Sequence, residues 1–203
     1  MKKKSLQQKL QDKLSAGKFR ILNEMMYLNK GYNMEEYNKL YSFQIKKWSY
    51  HPLDKIISMI DSDAFIIDLG CGDATLSKHF KHVINIDKFS KVKNVIQSSS
   101  SQLPFNNNIF DVAVFSLSLM FINNTDSILE AYRVLNYNGI LIIGEIISRI
   151  ESIDNFVKCV ESTGFKMIDS LVDKWYFIGQ FKRINQCKEI MPVILKPCVY
   201  KKR

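Results

Sequence analysis

The sequence predicts an α/β sandwich: a mainly parallel sheet with one antiparallel strand, covered by helices and preceded by an N-terminal helical cap. Three observations carry that expectation. From residue 53 onward, short apolar runs alternate with segments of helical periodicity, and strands alternating with helices need right-handed crossovers that leave the strands parallel. The last two β-rich runs follow one another without a helix, which makes one of them antiparallel. Residues 1–51 stand outside the alternation and read as helix alone.

Taken in order, Leu6, Leu10 and Leu14 suggest one amphipathic helix, and Tyr37, Tyr41, Ile45 and Trp48 a second. Pro52 suits a first helical position, and Leu53, Ile56, Ile57 and Ile60 recur at helical spacing after it. Residues 65–69 form an apolar strand stopped by Gly70-Cys71-Gly72; residues 74–80 read as a helix and residues 83–86 as a second buried strand. The Ser98–Ser101 and Asn106–Asn108 tracts read as loop. A strand over 111–119, a helix over 126–135 capped by Asn124 or Thr125, and a strand over 139–147 follow. Residues 153–162 are helical with Gly164 as their stop, and 165–172 and 175–182 are the closing strands. The expected organisation is a cap over 1–51 and a sheet domain over 52–203, forming one compact unit.

With 203 residues, 46% hydrophobic and 24% charged, the chain is long enough to bury an ordinary core without disulfides or structural metal. Its four cysteines form no CxxC pair, so neither a zinc ribbon nor a dithiol redox site is indicated, and a reduced intracellular setting is expected. His79 and His82 share a helical face but lack nearby Cys or carboxylate ligands, so no metal is expected. The longest apolar run, 139–147, contains Glu145 and falls far short of a membrane span, and the lysine-rich start is no secretory signal; membrane insertion and secretion are not expected. The formal charge of +9 is concentrated at the ends: residues 1–48 carry 11 basic and 4 acidic side chains, and residues 174–203 carry 8 and 1. Basic ends of that kind attract phosphate backbones.

In an open parallel sheet, ligands bind beyond the carboxyl ends of the strands, so residues just after the first, second and fourth strands are the candidates for chemistry. Asp68-Leu69-Gly70-Cys71-Gly72-Asp73 occupies the first of these places. Glycines 70 and 72 permit a sharp turn and close approach of a ligand, and the helix expected after them would offer unpaired amides. Asp87 ends the second strand, 19 residues after Asp68, where a carboxylate can accept both hydroxyls of a ribose. The turn reads Gly70-x-Gly72-x-x-Thr75, without the third small residue that packs helix against strand beside a pyrophosphate. Ser116 and Ser118 lack a GxSxG turn, which argues against a hydrolase.

The DxGxG of residues 68–72 resembles the first motif of class I S-adenosylmethionine-dependent methyltransferases. Further stretches resemble the nucleomethylin family of ribosomal-RNA-processing methyltransferases: Gly17-Lys18-Phe19-Arg20-Ile21-Leu22-Asn23-Glu24, Gln44-Ile45-Lys46-Lys47-Trp48, Phe115-Ser116-Leu117-Ser118-Leu119-Met120, Ser148-Arg149 and the tail from Pro197-Cys198-Val199-Tyr200 to Arg203. The resemblance implies a Rossmann-like class I methyltransferase sandwich, S-adenosyl-L-methionine as cofactor with S-adenosyl-L-homocysteine as product, and N1-methylation of an adenosine in large-subunit ribosomal RNA, in the nucleolus within the nucleus. It implies Gly70 at the methionine end of the cofactor, Asp87 at its ribose and Ser116 at the fourth strand, where relatives often have Cys. The adenine-contacting Asp-Met pair of relatives falls on Ser99-Ser100, a cofactor-contacting His falls on Asn38, and a small Gly falls on Phe121.

The expected cofactor site is therefore Asn38, Asp68, Gly70, Gly72, Asp87, Ser99, Ser100 and Ser116. Phe19, Arg20, Asn23 and Glu24 are candidates for a lid over the substrate, and Arg149 either contacts RNA phosphate or pairs with Glu145. The expected partner is ribosomal RNA, with a monomer favoured. Other readings stay open at this point: a noncatalytic cofactor-sensing RNA or chromatin scaffold, a methyltransferase acting on protein or a small molecule, and, more distantly, a nicotinamide-dependent dehydrogenase.

Overall fold

The computed structural model describes residues 5–28, 30–31, 33–45, 51–184 and 189–197. Trp48 and the last residues of the basic tail, 198–203, lie outside them. Two helices come first, α1 (Leu6–Tyr27) and α2 (Met34–Ile45), then α3 (Pro52–Ile57), β1 (Ile66–Leu69), β2 (Val83–Ile86) and β3 (Val95–Ile96). The second half runs β4 (Phe110–Ser116), α4 (Thr125–Val134), β5 (Leu135–Ile146), α5 (Ile153–Ser162), β6 (Phe165–Val172) and β7 (Tyr176–Arg183).

The seven strands lie in the order β3-β2-β1-β4-β5-β7-β6, with β7 antiparallel to both neighbours and every other pair parallel. Alternation along β4 shows why the sheet is buried on both faces. Val112 and Val114 join Ile56, Ile66, Ile142 and Ile178 on one face, while Ala113 and Phe115 join Phe156, Phe177 and Phe181 on the other. α3 is held at its start by a reciprocal cap: His51 Nδ1 accepts the Leu53 amide at 3.1 Å, and the Asp54 carboxylate accepts the His51 amide at 3.1 Å. Pro52 at the first helical position has no amide to leave unsatisfied. At the other end of the chain Ser152 Oγ caps α5, and Gly164, at φ +102°, ends it.

Several expectations change. Residues 74–80 form no α-helix: Ala74 sits at φ 51°, outside the helical region, and only a single 3₁₀ turn, Leu76–Lys78, remains before β2. β3 was not expected, since two residues carry no periodicity. β5 begins at Leu135, paired with Phe110, and the Asn136–Gly139 turn survives as an irregularity, with Asn138 at φ 63°, before pairing resumes at Val112 and Ile140. The helix expected from Leu6, Leu10 and Leu14 exists, but those leucines are 75%, 54% and 67% exposed. α1 instead buries Phe19, Leu22 and Met26 against Tyr37 of α2, because only its second half meets that helix.

Candidate active site

β1 ends in the glycine turn, and the two glycines do different work. A Cβ on Gly70 (φ +76°) would lie 2.4 Å from the Ser118 Cβ, so glycine here lets the loop after β4 close on β1, where Ser118 Oγ donates to the Leu69 carbonyl at 2.6 Å. Around Gly72 (φ +53°) nothing lies within 4 Å of a built Cβ, which leaves room beside the backbone for a ligand. The amides of the turn are engaged within the protein, and the α-helix expected to offer unpaired amides after the glycines does not form. Gly70 and Cys71 donate to the Ile86 carbonyl at 2.8 and 3.0 Å, Ala74 donates to the Cys71 carbonyl at 2.9 Å, and Gly72 donates to Asp87 Oδ2 at 3.0 Å.

At the end of β2, Asp87 is held by three amides: that of Gly72 on one oxygen, and those of Phe89 and Ser90 at 2.8 Å each on the other. A carboxylate offers about four lone-pair positions, so this arrangement orients Asp87 rigidly and leaves acceptor capacity mainly on Oδ2. Next to it Asp68 is buried, and burial first, then the neighbouring Asp87 charge, push its carboxyl up to about 7. The Cys71 thiol is likewise pushed far up by burial and by both aspartates, which holds it as an unreactive thiol.

These residues line one cavity of about 600 Å³. All eight residues expected at the cofactor meet there: Asn38 from α2, Asp68, Gly70 and Gly72 from β1 and its turn, Asp87 from β2, Ser99 and Ser100 from the loop after β3, and Ser116 from β4. The opposite wall comes from α1 and α2, which contribute Met26, Tyr37, Tyr41 and Ile45, and from His51, Leu53 and Asp54 at the start of α3. Within that wall Tyr41 Oη lies 3.0 Å from His51 Nε2, and α2 is tied to the sheet side by Ser42 Oγ to Asp73 at 3.4 Å and Lys91 to Glu35 at 3.2 Å.

Two features test whether S-adenosylmethionine suits this cavity. Asp54, Asp68, Asp73 and Asp87 line it against Lys88, a balance that favours a ligand carrying sulfonium and ammonium groups and disfavours a pyrophosphate. Ser116 lines the cavity, and its Oγ is buried with no hydrogen-bond partner among the described residues, so rotation of the side chain would bring an unsatisfied hydroxyl to a ligand. The hydroxyls at the expected adenine end are paired locally, Ser99 with Ser101 at 2.8 Å and Ser100 with Ser127 at 2.9 Å, and hydroxyls can reorient toward a ligand. The residues present fit the cofactor.

The substrate candidates fare differently. Phe19 is buried and stacks on Tyr37, ring centroids 5.5 Å apart, which makes it the core of the α1–α2 pair rather than a lid. Arg20, Asn23 and Glu24 do not line the cavity. Arg149 is 4% exposed, pairs with Glu145 at 2.8 Å and donates to the Lys196 carbonyl at 3.0 Å. Of its two expected roles, the ion pair is the one formed, and the guanidinium is not displayed to a phosphate.

A sequence profile for a family described as "Hypothetical methyltransferase" matches residues 5–203. The chain belongs to this methyltransferase family. Among its relatives it is 33% identical over 238 residues to ribosomal RNA-processing protein 8 of Dictyostelium discoideum, covering 100% of this chain and 61% of that protein. It is 31% identical over 232 residues to the 25S rRNA (adenine(645)-N(1))-methyltransferase of Schizosaccharomyces pombe, covering 98% of this chain and 73% of that one. The chain thus spans about three fifths of the length of the first of these relatives. In fold it is similar to a TehB-like SAM-dependent methyltransferase of Corynebacterium glutamicum (TM-score 0.55, 16% identity, 72% of this chain and 97% of that chain). It is also similar to the 1,6-didemethyltoxoflavin-N1-methyltransferase of Burkholderia thailandensis, solved with S-adenosylhomocysteine (TM-score 0.54, 12% identity, 66% and 77%). The fold is that of class I methyltransferases, as the sequence predicts.

Sequence reasoning missed Tyr41, His51, Asp54 and Asp73 as cavity residues of this member of the methyltransferase family. A signal existed for two of them. His51-Pro52-x-Asp54 has the spacing of a capped helix start, with an acceptor before a first-position proline and an acid at the third helical position. Tyr41 reads equally well as helix core, and only tertiary packing aims it at the cavity.

Proposed function

We propose that this chain is an S-adenosylmethionine-dependent methyltransferase acting on ribosomal RNA, methylating N1 of an adenosine in the large-subunit RNA, in the nucleolus. The observation that carries the cofactor half is the single cavity in which the DxGxG turn, Asp87 and the unpartnered Ser116 hydroxyl converge under an excess of carboxylates. The RNA half is supported by the names of the ribosomal-RNA relatives and by the basic ends of the chain.

When bound, the cofactor supplies a methyl group on a positively charged sulfur. Adenine N1 carries its lone pair at neutral pH, so no side chain need remove a proton first, and the chain's task is alignment and exclusion of water. Asp68 and Asp87 hold the cationic and ribose ends, Gly72 gives the backbone clearance, and Ser116 meets the ligand from β4. α1 and α2 act as the cap, with Tyr37, Asn38 and Tyr41 closing the cavity from above.

The test is transfer of labelled methyl from S-adenosylmethionine to an unmodified large-subunit rRNA transcript, with the modified position mapped. Transfer to an adenosine N1 that disappears in Asp87→Ala supports the reading. Cofactor and RNA binding without transfer supports instead a scaffold, which the departures at Asn38, Ser99 and Phe121 motivate. Transfer indifferent to salt, or to a protein or metabolite only, overturns the RNA half.

A further inference from the structure

Ser98, Ser99 and Ser100 line the cavity from the loop that runs from β3 to β4, and that loop is anchored on two sides. Toward β2, Gln97 Nε2 donates to the Ser90 carbonyl at 3.1 Å, and the Ser90 amide is one of those that hold Asp87. Toward the other side the anchor is α4, through three residues one helical turn apart. Ser100 Oγ lies 2.9 Å from Ser127 Oγ, and the Leu103 amide donates to the Glu130 carboxylate at 2.8 Å. Arg133 donates to the Leu103 and Phe105 carbonyls at 3.1 and 2.7 Å.

Glu130 and Arg133 grip backbone groups where the loop leaves the cavity, as a structural clamp does. Ser127 differs from them. It is 6% exposed and stands outside the cavity lining, yet its hydroxyl is bonded to a side chain that belongs to that lining. A serine hydroxyl has one hydrogen and two lone pairs, so whichever of the two serines donates, Ser100 keeps a lone pair for a ligand. Without Ser127 the Ser100 oxygen would be free to turn among three rotamers; with it, one direction is selected.

What that oxygen meets follows from Asp87. A ribose held by Asp87 carries its base directly on the sugar ring, so the base lies next to this carboxylate. The Asp87 amide donates to the Ile96 carbonyl at 3.2 Å, which sets the end of β3, and the serines just beyond it, beside the sugar. Adenine presents on its edge an amino group that needs an acceptor. We propose that Ser127 is a positioning residue for the adenine of the cofactor, acting through Ser100, whose oxygen it holds in place to accept the adenine amino group. The inference rests on the cofactor half of the reading above and is independent of the RNA half.

Calorimetry with S-adenosylhomocysteine and with S-inosylhomocysteine, in which a carbonyl oxygen replaces the amino group, reads the contact directly and needs no RNA. The wild-type chain should prefer the adenine compound by about tenfold or more, because the inosine carbonyl faces an acceptor and leaves it unpaired. Ser127→Ala and Ser100→Ala should each weaken S-adenosylhomocysteine binding about fivefold while S-inosylhomocysteine stays within about twofold, so that the preference shrinks. Since one residue acts through the other, the double variant should bind no more weakly than Ser100→Ala alone. Urea unfolding of each variant separates binding from stability, and Ser100→Ala, which lies outside α4, reads the same contact if Ser127→Ala unsettles the helix.

Equal losses for the two compounds overturn the inference, since they would make the serine pair a support for the loop and nothing more. So do additive losses in the double variant, unchanged affinity in a stably folded Ser127→Ala, or a wild-type chain that binds both compounds equally; each of these leaves the cofactor reading standing. A wild-type chain that binds neither compound overturns the cofactor reading, and this inference with it.

Discussion

The Asp87 carboxylate accepts the Gly72 amide at 3.0 Å, so the acid that ends β2 and the glycine turn that ends β1 are one rigid unit before any ligand arrives. Parallel pairing of Leu69 with Ile86 brings them side by side. The acceptor for a ribose is therefore preorganised, and its loss should be felt both in binding and in the loop.

Replacing Asp87 with Ala strands the Gly72, Phe89 and Ser90 amides and removes the ribose acceptor. Calorimetry should show S-adenosylmethionine affinity falling at least about tenfold, or about 1.4 kcal/mol. Urea unfolding of the ligand-free chain should show a loss of about 1–3 kcal/mol.

Asp68 links the site to pH. Its carboxyl is raised in the folded chain to about 7 from an ordinary value of 3.8, so between those values the folded state holds more protons than the unfolded one. Stability from this group is complete at low pH and declines as pH rises through about 7. A cationic ligand favours the ionised form, so its binding should release a proton and tighten from pH 6 to pH 8. Calorimetry in buffers of different ionisation enthalpy measures that release, and Asp68→Asn should abolish it.

Ser116 should give effects of opposite sign. Its buried hydroxyl has no partner among the described residues, so Ser116→Ala removes an unsatisfied group and should leave thermal stability equal or raised by up to about 1 kcal/mol. The same change should weaken cofactor binding several-fold. Lowered stability together with unchanged affinity would show that the hydroxyl faces no ligand.

The two glycines of the turn should respond unequally to alanine. At Gly70 the added methyl collides with Ser118 and the backbone is left-handed, so a loss of about 3 kcal/mol or more is expected in urea unfolding. At Gly72 only the backbone cost of about 1–2 kcal/mol applies, because the space is open. Affinity for S-adenosylhomocysteine should nonetheless fall in Gly72→Ala, whose methyl enters the cavity.

Much of the site was readable because strand ends are readable. Apolar runs that stop at Asp68-Leu69-Gly70 and at Asp87 mark two neighbouring carboxyl edges, and strand pairing is bound to bring such edges together; Ser116 lay inside the strand expected over 111–119, was marked by resemblance, and ends β4 in the structure. The misreadings have local physical causes. Gln-x-Lys patterning around Leu6, Leu10 and Leu14 is amphipathic whether or not a partner exists, and here α1 buries apolar side chains against α2 only from Phe19 onward. Residues 74–80 have the composition of a helix, but the left-handed turn at Ala74 leaves it no start. Arg149 looked equally fit for a phosphate and for Glu145; with Glu145 buried at the end of β5 and Arg149 in the turn just after it, the guanidinium is drawn to the acid.

The sequence by itself determined the alternation of most strands and helices, the mixed sheet and the glycine turn with Asp68 and Asp87, since periodicity and glycine turns act over short stretches of chain; Asn38, Ser99, Ser100 and Ser116 were marked only by resemblance to a family. Tertiary structure alone decided which amides were already satisfied, that Asp68 is buried beside the Asp87 charge, that Ser116 Oγ has no partner among the described residues, and that Tyr41 of α2 meets His51 at the start of α3. Those are properties of groups brought together from distant parts of the chain, and a carboxyl's proton affinity or a hydroxyl's partner depends on that company rather than on the residue alone.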